Sequence, residues 1–132
     1  MSFEAQTPLE RLLAHAHTRP TDAKAYRAFV QELVGTVIGV LGRPESHGFQ
    51  PLVLSPGGTT GVCVFSHPLR YDLFTAHVML PARDWQVRPE RARQLFAWAA
   101  SNELFVLLNP GGDIGKEFPP FELDRLLRGE WV

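Results

Sequence analysis

Residues 104–127 read LFVLLNPGGDIGKEFPPFELDRLL, and the fold turns on how this stretch divides. Leu104 to Leu108 is apolar throughout, the pattern of a central strand covered on both faces. The run stops at Asn109-Pro110-Gly111-Gly112. Pro110 suits the second position of a tight turn and Gly111 the third, where φ is positive; the Asn109 side chain can bond the turn backbone. Pro119-Pro120 delays the next element. Pro120 then opens a last helix with Leu123, Leu126 and Leu127 on one face, and Gly129 can end it.

The same stretch has the outline of a phosphate-binding loop: a strand, a glycine-rich turn and Gly115-Lys116. That motif needs a glycine at position 110, a hydroxyl after the lysine and a helix starting at once. Position 110 is proline, position 117 is glutamate, and Phe118-Pro119-Pro120 postpones the helix. Three requirements fail together, so the stretch is read as a strand-ending turn. Loops at strand ends often carry function, and this one is the candidate binding surface.

Working back toward the N-terminus, Thr7-Pro8-Leu9-Glu10 is a helix start with a capping box. Leu9, Leu12, Leu13 and Ala16 form its apolar stripe, and Pro20 stops it. Thr21 or Asp22 can cap a second helix bearing Tyr26, Phe29, Val30, Leu33 and Val34, with Gly35 at its end. Thr36 to Leu41 reads as a strand and Gly42 to Phe49 as a loop. Gln50 to Ser55 and Gly61 to Phe65 read as strands around the hairpin loop Pro56 to Thr60. Ser66 can cap a short helix with Leu69, Leu73 and Phe74 inward, and His77 to Leu80 suggests another strand. Pro89 opens a third long helix carrying Leu95, Phe96, Trp98 and Ala99. The expected class is α+β: a single sheet with helices packed on it, an N-terminal helix pair and a C-terminal amphipathic helix. No linker or repeat divides residues 1–132, so one domain is expected.

Composition narrows the function. A hydrophobic share of 45% with 20% charged residues fits an ordinary globular chain with a core large enough to need no disulfide or metal. The formal net charge of −1 gives no basic excess for nucleic acid. The one basic cluster, Arg88, Arg91 and Arg93, encloses Glu90 and reads as a solvated helix face. Cys63 is the sole cysteine, so no intrachain disulfide can form, in keeping with a reducing cytoplasm. No secretory signal or membrane-length apolar run is read, and a cytoplasmic location is expected.

Catalytic sets are weak. His15, His17, His47, His67 and His77 are dispersed without zinc spacing. Cys63 lies in an apolar strand and reads as buried and inert. Ser66 and His67 are adjacent, which does not suit a triad with Asp72, and Ser66 is better used as a cap. Glu117 with Glu122, and Asp72 with Asp84, show no spacing that argues for acid–base work. Phe65, Phe74, Phe96, Trp98, Phe118 and Phe121 mostly follow the apolar periodicity of a core. Trp85 and Trp131 lie among polar residues and are candidate interface anchors.

Three segments carry a resemblance: PLERLLAHAHTRPTDAKAYRAFVQELVGTVIGV, GTTGVCVFSHPLRYDLF and LFVLLNPGGDIGKEFPPFELDRLL. Together, from about Pro8 to Gly129, they resemble the N-terminal domain of the SseB family, the enhanced-serine-sensitivity proteins. The third is the most specific, with its strand, Asn-Pro-Gly turn and proline-preceded last helix. The family turn often ends in serine, where this chain has Gly112. The resemblance implies a bacterial protein linked to serine tolerance, with no established catalytic mechanism and no cofactor.

The expectation is therefore a non-enzymatic binding or regulatory module acting through a protein partner, with a homodimer allowed. Its surface is expected to include Asn109, Gly111, Gly112 and Lys116, with Phe118 as an apolar contact. The alternative is a small-ligand sensor in which glycine amides and Lys116 hold an amino-acid carboxylate. A weakly marked enzyme is the third reading.

Overall fold

A computed structural model describes residues 3–46, 48–77 and 85–130. Helix α1 (Pro8–Thr18) and helix α2 (Ala23–Val34) open the chain. The Thr7 hydroxyl accepts from the Glu10 N–H, and Asp22 rather than Thr21 caps α2 by accepting from the Lys24 and Ala25 N–H groups. Strands β1 (Val37–Glu45), β2 (Gly48–Pro51), β3 (Val53–Leu54) and β4 (Gly61–Phe65) follow, then α3 (Pro68–His77). Strand β5 (Gln86–Arg91), α4 (Ala92–Ser101), β6 (Phe105–Leu108), β7 (Lys116–Phe118) and α5 (Pro120–Leu127) complete the order.

The strands form one mixed sheet, ordered β2-β1-β4-β6-β7, with β3 joined to β4 and β5 to β1. β4 and β6 run parallel, and the other pairs are antiparallel. The α+β expectation with a helix pair and an amphipathic last helix stands. β6 lies between β4 and β7, and its two faces pack into the two hydrophobic clusters, which accounts for its unbroken apolar run.

Side chains alternate across the sheet with a period of two, and this divides the interior. Val62 and Val64 of β4, with Val106 and Leu108 of β6, face the side covered by α1, α2, α4 and α5. Cys63, Phe65 and Leu107 face the opposite side, where Phe74 of α3 covers them. All five residues of β4 are buried. Among the described residues, four helices thus cover one face of the sheet, and α3 covers the other.

Several expectations give way to the sheet. The loop expected over Gly42 to Phe49 is largely strand, because β1 continues to Glu45 and β2 begins at Gly48. Gly42 enables this pairing: a Cβ there would stand 2.3 Å from the Gln50 carbonyl oxygen and against the Phe49 ring. The strand expected over Gln50 to Ser55 breaks at Leu52, whose N–H bonds the Leu41 carbonyl at 2.9 Å, and the chain then turns its pairing to β4. Pro89 does not open a helix. It sits in β5 opposite Gly39, and β5 pairs only with β1 among the described residues. An edge strand tolerates proline because one side needs no donors. α4 starts instead at Ala92, whose N–H bonds the Thr36 carbonyl at 3.0 Å.

Arg88 and Arg91 accordingly belong to a strand, with Arg93 alone of the three in a helix. Arg88 lies over the Phe49 ring. Leu69 and Leu73, expected inward, are exposed, and Arg70 and Phe74 take the inward face of α3. Phe121 is exposed as well. β7 is a short edge strand that the Pro119-Pro120 pair conceals in the sequence. The strand expected over His77 to Leu80 and the anchor Trp131 fall outside the described residues, apart from His77, the last residue of α3. Trp85 packs partly buried against the second cluster, with Arg43 over its ring.

Gly42→Ala is expected to lower the unfolding free energy by about 1–3 kcal/mol, the usual cost of forcing atoms into a filled space. Gly57→Ala, where an added Cβ meets nothing within 4 Å, is expected to stay within about 0.5 kcal/mol. Urea denaturation of the two variants checks the pair.

Candidate functional site

The turn after β6 forms as its residues dictate. The Gly112 N–H bonds the Asn109 carbonyl at 3.1 Å, closing the turn around Pro110 and Gly111. Gly111 has φ +79°. Asn109 itself has φ +52°, a left-handed conformation that asparagine tolerates better than most side chains. The loop then returns to the sheet at Gly115, where a Cβ would lie 2.4 Å from the Leu108 carbonyl oxygen.

The Asn109 side chain does not bond its own turn as expected. It is 2% exposed and reaches across to the end of β4. Its Oδ1 accepts from the Ser66 N–H at 3.0 Å, and its Nδ2 donates to the Ser66 hydroxyl at 2.9 Å and toward the Ile114 carbonyl at 3.4 Å. Asn109 thereby ties two neighbouring strand ends and the far side of the loop together. Its own N–H bonds the Val64 carbonyl at 2.8 Å, extending the parallel ladder by one rung.

Ser66 is not a helix cap. Its hydroxyl donates to Glu10 Oε2, and His67 Nδ1 instead accepts from the Leu69 N–H at 3.2 Å. Glu10 is fully buried. It accepts from Arg70 Nε at 2.8 Å, Arg70 Nη2 at 2.7 Å and the Gln6 N–H at 2.8 Å. Arg70, 8% exposed, also donates to the Glu4 carbonyl at 2.6 Å and lies over the Phe3 ring. Glu10 contributes half of the expected capping box, its N–H bonding Thr7, while its carboxylate turns to Gln6 and Arg70.

Burial by itself would raise the Glu10 carboxyl. The hydrogen bonds from Arg70, Ser66 and Gln6, with the Arg70 charge, outweigh it and hold the pKa below the usual glutamate range. On the second face of the sheet, burial pushes the Cys63 thiol up to about 12, so it is a protonated, inert core residue, as its sequence position suggests. Among the described residues no group of three His, Cys, Asp or Glu side chains could hold a metal ion.

The other expected site residues divide. Gly111 is exposed and Gly112 half-buried. Lys116 is partly exposed, 3.4 Å from Glu122 and near the rings of Tyr26 and Phe118. The Tyr26 hydroxyl also donates to Glu122. Phe118 has no exposed surface and lies between Phe29 and Phe96. It supports Lys116 from beneath, and its ring is not available as an outer contact. Two clefts flank the loop. One, of about 640 Å³, is bordered by Pro110, Gly115, Lys116 and Glu117. The other, of about 450 Å³, lies between the loop, α3 and the segment before α1. Gly111, Gly112 and Asp113 border both.

Glu10, Ser66 and Arg70 are the residues that sequence reasoning missed at this site. A usable signal was Arg70 itself, four residues before Phe74 and so on the same face of α3.

These features define a class: an α+β domain in which an internal ion pair and an asparagine hold a glycine-rich loop at the end of the sheet. Its family follows from the sequence. The family model of the SseB protein N-terminal domain matches residues 9–125, and the chain belongs to that family. Comparison with curated proteins and with solved structures finds no match.

Arg70→Met is expected to cost about 3–5 kcal/mol at neutral pH, because Glu10 keeps its charge without its partner. Asn109→Ala, which strips the Ser66 N–H of its acceptor, is expected to cost about 1–3 kcal/mol. The Glu10 pKa is depressed on folding, so its contribution is fully present above the unfolded glutamate pKa and is lost as pH falls through the folded value. The stability gap between wild type and Glu10→Gln should therefore narrow on acidification through that window. Chemical denaturation at a series of pH values measures all three variants, and a gap constant with pH would contradict the charge-based account.

Proposed function

We propose that this domain is a non-enzymatic binding and regulatory module, bacterial and cytoplasmic, that acts through a protein partner in a setting linked to serine tolerance. The observation that carries the reading is the construction of the 109–116 loop. A loop whose exposed Gly111 and half-buried Gly112 rest on a buried Asn109 is held in one shape before any partner arrives. Such preorganisation lowers the ordering cost of binding. The polar side chains beneath it, Glu10, Arg70, Ser66 and Asn109, are spent on one another, which suits a support more than a reaction centre. The SseB family is not a known enzyme family.

Gly111, Gly112 and Lys116 form the contact surface in this account, with Asn109 and Phe118 as the supports beneath it. Lys116 already faces Glu122. That pairing favours a role at the rim of a protein contact over capture of a free carboxylate.

In a pull-down from cell extract, Lys116→Glu is expected to lose most of the partner recovered by wild type while keeping the wild-type circular dichroism spectrum. Equal recovery would count against this surface. Adding each of the common amino acids at saturating concentration is expected to leave Tm unchanged. A ligand in hundredfold excess over its Kd would contribute about 2.7 kcal/mol, so a clear rise with any of them would replace the partner reading with amino-acid sensing.

A further inference from the structure

The cleft on the α3 side of the loop has a composition of its own. Leu69 and Leu73 lie one turn apart on α3 and are 45% and 39% exposed. Phe3 and Ile114 complete an apolar floor, and Gly111 and Gly112 form the opposite wall without side chains. Two exposed leucines in register beside two bare glycines leave room for an inserted side chain and a passing backbone. The volume, about 450 Å³, is that of a small binding site.

Charge specifies what fits. Glu4, Asp72 and Asp113 border the cleft and are exposed. The one cation among its described lining residues is Arg70, and its charge is met by Glu10 at 2.7 Å. The rim is therefore acidic around an apolar floor. An acidic segment would meet three carboxylates, whereas Lys or Arg beside an apolar side chain would be attracted to them while the apolar group is buried.

We propose that this cleft, between Phe3, the Leu69–Leu73 face of α3 and the Gly111–Ile114 side of the loop, docks a segment of a partner protein that carries a large apolar side chain flanked by Lys or Arg. The proposal rests on the protein-partner reading above and names the chemistry of the partner. Leu69 and Leu73 supply the apolar contact, and Glu4, Asp72 and Asp113 select the basic flanks. The buried pair of Glu10 and Arg70 keeps the floor in place.

The test is selection of peptides from a displayed random library on the folded full chain, followed by Kd measurement for the enriched sequences. Enrichment of an apolar residue flanked by Lys or Arg is expected. Leu73→Asp is expected to weaken those peptides at least about tenfold, the loss typical of a contact residue at an interface centre. Asp72→Lys with Asp113→Lys is expected to weaken them similarly, and raising salt should weaken wild-type binding, since the rim charges are screened. Leu69 and Leu73 are exposed, so their variants should keep the wild-type Tm. Enriched peptides that lack basic residues, or that bind Leu73→Asp as tightly as wild type, would overturn the proposal. Peptides that bind Leu73→Asp normally but lose affinity for Lys116→Glu would overturn it while leaving the protein-partner reading intact. A library yielding no enriched sequence would overturn it as well, and the Lys116→Glu pull-down would then decide the broader reading separately. Sedimentation that shows a dimer abolished by Leu73→Asp would assign the cleft to a second copy of this chain, against the proposal.

Discussion

A carboxylate with no exposed surface has to replace the water it has lost, and Glu10 does so with four donors: two from Arg70, one from Ser66 and one from the Gln6 backbone. The pair joins segments sixty positions apart and sits where α1, the end of β4 and α3 converge. Uncompensated burial of either charge would cost several kcal/mol. The geometry of this junction is therefore constrained far more tightly than apolar contact alone would require. Hydrophobic packing tolerates small slips, but a bidentate ion pair with extra hydrogen bonds does not.

The constraint passes outward through Ser66. Its hydroxyl donates to Glu10 and accepts from Asn109, while its N–H is held by Asn109 Oδ1. The order of the 109–114 loop thus depends on a residue in the first helix and another in the third. Asn109 suits this place because one short side chain offers both a donor and an acceptor and also tolerates positive φ. Aspartate would lack the donor for the Ser66 hydroxyl. The strand-Asn-Pro-Gly sequence of this chain can be understood on these terms: asparagine binds the neighbouring strand end, proline and glycine set the turn, and the strand supplies a fixed base. Gly112 follows in this chain, which leaves the loop's outer wall without a hydroxyl.

Much of the outline was legible because local chemistry and tertiary demand agree. Leu104–Leu108 is apolar on both faces because β6 is covered on both faces. Pro110-Gly111 makes the turn that those two residues favour anywhere. Asp22 and Thr7 cap helices through contacts a few residues away. Pro89 misled because proline suits both the first turn of a helix and an edge strand, and only the position of β5 beside β1 decides between them. Gly42 misled because glycine marks a loop in most settings, whereas here the close approach of Gln50 and Phe49 requires it within a strand. α3 misled in part because leucine is expected inside; Phe74 does face inward as expected, but Arg70 takes the place beside it, since Glu10 lies opposite, and Leu69 and Leu73 are exposed.

By itself, the sequence determined the class of the protein: the alternation of apolar periods, the caps and the Asn-Pro-Gly turn specify helices around one sheet and the SseB family, because each rests on interactions between near neighbours in the chain. Only the tertiary structure decided what the loop rests on and what lies beside it. Glu10 as ion-pair partner, Ser66 as bridge, Phe118 as buried support, and Leu69 with Leu73 as exposed lining all depend on contacts between distant segments. No local pattern encodes a residue's partner when that partner lies forty or sixty positions away, and the candidate surface of this domain is built from such pairs.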